Sequence, residues 1–145
     1  MNRSSITLPT IALLTTFGLI AGCATKGKDL VGSKTVKIEK VSSVWGTLGF
    51  VTVIQDGDAV TLRGEVKRPS GRGPIPGHID LEVIAPQGDL LEKCMIDYDR
   101  PSPKSRNANF NAVLRVTPPP GSTIRVEHDS HVVSAGEKNR CSGSL

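Results

Sequence analysis

Apolar residues recur at every second position through most of this chain, and that period admits essentially one kind of element. Val60, Leu62, Gly64 and Val66 alternate with Thr61, Arg63, Glu65 and Lys67, and Ile79, Leu81, Val83 and Ala85 enclose Asp80 and Glu82. Successive side chains of a strand point to opposite faces, so these segments read as half-buried β-strands. Val36–Ile38, Phe50–Ile54, Leu90–Tyr98, Phe110–Val116 and Thr123–His128 read the same way, with Val132-Val133 as a shorter candidate. Turn chemistry separates them at Asp56-Gly57, Pro69–Gly77, Pro86-Gln87-Gly88, Pro101–Asn107 and Pro118–Gly121. No segment after the N-terminal stretch carries a helical period with caps. Seven or eight short strands at regular spacing predict an all-β, antiparallel sandwich.

The length of 145 residues suits one such domain. Trp45, Phe50, Tyr98 and Phe110 are the only aromatics beyond residue 22, so the core is expected to be thin and made of Val, Ile, Leu and Ala. The net charge of +4 is mild. A nucleic-acid binder would show a denser basic stripe with aromatics placed for stacking, and no nucleic-acid partner is expected.

Residues 1–22 have a different character. Arg3 gives a positive start, Ile6–Ile20 is mostly apolar or small, and no acid occurs before Cys23. This is the pattern of an export signal, and its apolar run falls short of the roughly 20 residues that span a bilayer. The run ends in Ile20-Ala21-Gly22-Cys23, which resembles the lipobox of bacterial lipoproteins. The resemblance implies cleavage before Cys23, acylation of its thiol and amine, and attachment to an envelope membrane. Several acyl chains, at about 0.8 kcal/mol per buried methylene, make release negligible. Ala24, in place of Asp, implies the periplasmic face of the outer membrane if the source is Gram-negative. Residues 23–33 are then expected to be a lipidated tether and residues 34–145 the sandwich.

Export would place the two remaining cysteines, Cys94 and Cys141, in an oxidising compartment, where a pair is expected to form a disulfide. Closing a loop of this size contributes roughly 4 kcal/mol and would pin the polar tail Gly136–Leu145 to the strand bearing Cys94. A soft-metal dithiol would favour closer Cys-x-x-Cys spacing. The layout Leu62-Arg63-Gly64-Glu65-Val66, Pro/Gly loop, Ile79-Asp80-Leu81-Glu82-Val83, Pro86-Gln87-Gly88-Asp89-Leu90-Leu91 is similar to the immunoglobulin-like or transthyretin-like domains of envelope lipoproteins. Those domains mostly serve recognition or assembly.

No catalytic arrangement is expected. The chain has no Gly-x-Ser-x-Gly elbow, and Ser70-Gly71-Arg72-Gly73 lacks the spacing and Lys of a phosphate loop. Asp97 and Asp99 share a strand face, but beside Arg100 they read as a solvated ion-pairing end. No cofactor is expected. Metal binding is not expected either. Its candidate ligands are His128 and His131, with His78 or Asp129 as a third, but in a continuous strand the first two would face opposite ways. Trp45 reads either as a plug of the sandwich end or as an exposed aromatic anchor for recognition. Lys67, Arg68 and Arg72 flank one loop, and Arg100, Lys104 and Arg106 another. If the strands run up and down in turn, all six cations share one end and form a docking patch. The expected function is therefore a membrane-anchored, non-enzymatic module that docks on another envelope protein. The alternative is a periplasmic binder of a metal ion or anionic glycan, and the third reading is an inhibitor of an exogenous hydrolase such as lysozyme.

Overall fold

The computed structural model describes residues 27–69, 75–99, 105–132 and the backbone of 140–143. Cys23 and the segment before it lie outside the described residues. Nine strands follow one another: β1 (Lys28–Asp29), β2 (Lys37–Val41), β3 (Thr47–Asp56), β4 (Ala59–Lys67), β5 (His78–Ile84), β6 (Leu90–Ile96), β7 (Asn107–Leu114), β8 (Thr123–Asp129) and β9 (Arg140–Gly143). They form two sheets, ordered β1-β3-β4-β7 and β2-β8-β5-β6-β9. The described residues contain no helix. The fold is a β-sandwich, antiparallel throughout except where β2 runs parallel to β8.

The alternation places the core as expected. Val60, Leu62 and Val66 of β4 point inward, as do Ile79, Leu81 and Val83 of β5 and Ile124 and Val126 of β8, all with no exposed surface. Each such side chain contributes about 1.5–3 kcal/mol by leaving water. Gly64 shares this inward face and sits opposite Phe110 of β7. The Phe110 ring occupies the space that a Cβ on residue 64 would need. The one large aromatic ring reaching across this part of the core thus depends on a glycine beneath it.

Three features go beyond what the alternation alone shows. The fold starts before residue 34, because Lys28 and Asp29 pair with Gln55 and Ile54 of β3. Leu30 is buried in the core, and the Asp29 carboxylate accepts hydrogen bonds from the Val31 and Gly32 amides, turning the chain inward. Second, β3 carries a bulge between Leu48 and Val51, which turns Phe50 onto the outer face at 54% exposure. Third, Val132 lies outside any strand and is 82% exposed; Val133 is outside the described residues.

One carboxylate is fully buried. Glu92 points inward from β6, and its oxygens accept the Arg115 amide at 2.9 and 3.1 Å and the Val116 amide at 3.2 Å. It satisfies the backbone where β7 ends, without a cation. Glu92→Ala leaves both amides unpartnered and is expected to lower unfolding free energy by about 3 kcal/mol. Glu92→Gln, whose carbonyl still accepts, is expected to lower it less; urea denaturation followed by far-UV circular dichroism measures both.

Candidate functional site

The two ends of the sandwich are built differently. At the proximal end lie the β3–β4 hairpin, where Asp56 faces Ala59, and the incoming strand β1 beside Gln55. At the distal end lie Thr47, Lys67 and Asn107, in register across the outer sheet. The second sheet brings His78 and Asp129 to the same end, since the ring of His128 lies against Gly46. Along β3 the ends are about 30 Å apart at the usual strand rise.

The distal turn Ser43–Gly46 is organised by one hydroxyl. Ser43 Oγ accepts the Trp45 and Gly46 amides at 3.0 and 3.2 Å and lies 2.7 Å from His128 Nδ1. With two N–H groups donated to it, its own O–H donates to Nδ1, which makes the ring the neutral Nε2–H tautomer. His128 continues the inward series Ile124, Val126 and is 3% exposed, packed 6.0 Å from the Tyr98 ring centre. The Tyr98 hydroxyl donates to the Ile75 carbonyl at 3.1 Å. Trp45 is therefore not the plug of this end; it stands 38% exposed at the turn beside Val44, 67% exposed. His128 and Tyr98 take the plugging role instead.

His131 is turned outward and 88% exposed, so His128 and His131 do not converge on one ligand. The structure groups His78, Asp80 and Asp129 instead, with one ligand atom from each within 4.8 Å of the others. The register explains the grouping. His78 and Asp80 are two apart on β5, and Asp129 of β8 is directly opposite His78. Sequence reasoning had His78 and Asp129 but missed Asp80, whose signal was its i+2 spacing from His78.

Of the six expected patch cations, the Arg68 amide donates to the Arg106 carbonyl at 2.7 Å, which joins the two loops at the distal end. Arg106 is exposed. Lys67 pairs with Glu65 at 3.2 Å and is largely neutralised. Arg72, Arg100 and Lys104 lie outside the described residues. Cys94 is buried in β6, and Cys141 is its backbone partner in β9.

A groove of about 960 Å³ runs from the outer face of β3 and β4 over the edge of β7. Phe50, Arg63, Asn109 and Asn111 line it, together with Asp97 and Asp99.

No family model, curated protein or solved structure matches the chain.

Burial holds His128 below the ordinary imidazole range, opposed by the Pro76 carbonyl and Asp129 and reinforced by His78. The fold thus favours the neutral ring, and this contribution to stability is complete above the unfolded value near 6.5. It is lost as pH falls from there through the folded value, because a protonated Nδ1 no longer accepts from Ser43. Trp45 is the single tryptophan, so its emission reports the turn. Between about pH 7.5 and about pH 5 its emission is expected to shift to the red, and the urea midpoint to fall. His128→Gln, which cannot titrate, is expected to flatten both responses.

Proposed function

We propose that this chain is a bacterial envelope lipoprotein, held in the membrane by acyl chains on Cys23, whose sandwich docks without catalysis on another envelope protein. The observation that carries this reading is the opposition of its two ends. The described chain begins at Gly27, packed against Ile54 and Gln55 at the proximal end. Three residues separate it from Cys23, and the four Cα spans between them reach about 14 Å at most. An acylated Cys23 would therefore keep the Asp56–Ala59 hairpin near the membrane, with Trp45 and Arg106 exposed at the far end and Arg68 beside them. An exposed aromatic flanked by Arg68 and Arg106 and held away from its own bilayer favours a protein partner over the headgroups of that bilayer. With Ala24 after the cysteine, the membrane in a Gram-negative cell would be the outer one.

A Cys94–Cys141 disulfide belongs to the same proposal. Directly opposed antiparallel residues have Cα atoms about 4.5–5.5 Å apart, within the range a disulfide bridges. It would fasten β9, the outermost strand of its sheet, to β6.

Radiolabelled palmitate is expected to enter the wild-type protein and not Cys23→Ser; an unlabelled wild type defeats the anchor. For docking, a photo-crosslinking amino acid is placed at Trp45 or at Asp58. The Trp45 position is expected to give one discrete protein adduct, lost when Arg68 and Arg106 are both changed to Glu, and the Asp58 position none. Equal labelling from both ends, or none from Trp45, refutes the docking surface.

A further inference from the structure

We propose that His78, Asp80 and Asp129 form a binding site for a divalent transition-metal ion, of which Zn²⁺ is the natural probe. The site stands independently of the lipoprotein reading, since it uses only the β5–β8 register.

Its central ligand is preset. The His78 side chain is 3% exposed, and its Nδ1 lies 3.1 Å from the His131 carbonyl oxygen. A carbonyl only accepts, so Nδ1 carries the hydrogen, and in the neutral ring Nε2 presents a lone pair. Metal-ligating histidines are held in this way, with the second ring nitrogen donating to a backbone carbonyl. The lone pair faces the Asp80 carboxylate, with Oδ1 at 3.4 Å. Two acceptors pointed at one another repel unless positive charge lies between them, and here Asp129 adds a third acceptor from across the strand pair.

The acids are held as well. Asp129 Oδ1 accepts the His131 amide at 2.8 Å and lies 2.6 Å from His131 Nδ1. Asp80 and Asp129 are 25% and 33% exposed, which leaves the site open to entry from solvent. Glu127, opposite Asp80 on β8, is engaged by Arg125 at 3.1 Å and is not counted as a ligand.

The backbone brings these groups together through Gly77. Its φ is +97°, and a Cβ there would overlap the Asp129 carbonyl and press on Ser130 Cα. Only glycine lets the end of β8 lie this close to the start of β5.

The present spacing of up to 4.8 Å is wider than the roughly 3.4 Å between ligands bound at about 2.1 Å around a tetrahedral ion. Rotation of the two half-exposed carboxylates closes that difference without moving a strand. One imidazole and two carboxylates, with no thiolate, select Zn²⁺ or Mn²⁺ over Cu(I). Three protein ligands leave a coordination position for water.

The test is isothermal titration of Zn²⁺ into the untagged full chain carrying Cys23→Ser, which removes a competing thiol. One ion per chain is expected. Asp80→Asn and Asp129→Asn should each weaken binding about tenfold or more, as should His131→Ala through its hold on Asp129. All three should keep the parent's unfolding midpoint in EDTA. Zinc should also move the His78 ring resonances and leave those of His128 in place, a readout that survives if a variant folds poorly. Absence of stoichiometric binding refutes the site and leaves the His78–Asp80 contact an ordinary ion pair. Binding unaffected by both Asn changes refutes it equally, as does a response confined to His131.

Discussion

Two sheets that meet over Val, Leu and Ile side chains leave a thin gap, and at the distal end that gap has to be closed by something larger. Tyr98 and His128 close it. Burial favours His128 there as a neutral ring, its Nδ1 beside a serine hydroxyl whose oxygen already accepts two amides. The same contact fixes the turn that displays Val44 and Trp45. Packing and presentation therefore share one hydrogen bond. Burying a polar ring here costs desolvation, and the Ser43 contact offsets part of that cost.

Much of this architecture is written in the period of the chain, and the exceptions have physical causes. The strands from β3 to β8 are legible because each puts alternate apolar residues into one core. β1 is two residues long and β9 is polar, so neither shows a period; both exist because a longer neighbour offers an edge to pair with. The parallel pairing of β2 with β8 is illegible for another reason, since alternation says which residues face inward but nothing about strand direction. Lys28–Ser33 read as tether on composition, yet Leu30 alone carries enough apolar surface to draw the segment into the core.

The candidate site divides in the same way. The divergence of His128 and His131 follows from three-residue spacing, and the series Ile124, Val126, His128 marks the inward member. His78 with Asp80 is likewise a sequence-visible pair, on one face of one strand. What the sequence hides is the register that sets Asp129 opposite His78, because it rests on Gly77 and on a pairing between residues 51 positions apart in the chain. In the basic patch, Glu65 pairs with Lys67 locally, an offset visible in their i, i+2 spacing on one strand face, and Arg72, Arg100 and Lys104 lie outside the described residues.

The outer face of the β2-β8-β5-β6-β9 sheet shows why the metal proposal centres where it does. Along that face Arg125 lies within 4.0 Å of Glu39, Glu82 and Glu127, and Lys93 pairs with Glu82 at 3.0 Å. Exposed pairs of this kind contribute little to stability, but they leave each carboxylate answered by a cation. That balance ends at the distal edge. Asp80 and Asp129 have no Lys or Arg among their described ion-pair partners, although Lys93 lies near enough to Asp80 to feel its charge, and the rings in contact with them are those of His78 and His131. A divalent ion shared by all three residues would join these acceptors through positive charge. An ion there would tie the end of β8 to the start of β5 on the outer face, directly behind His128 on the inner face. One strand end would then be held from both sides, by a metal outside and a neutral imidazole within.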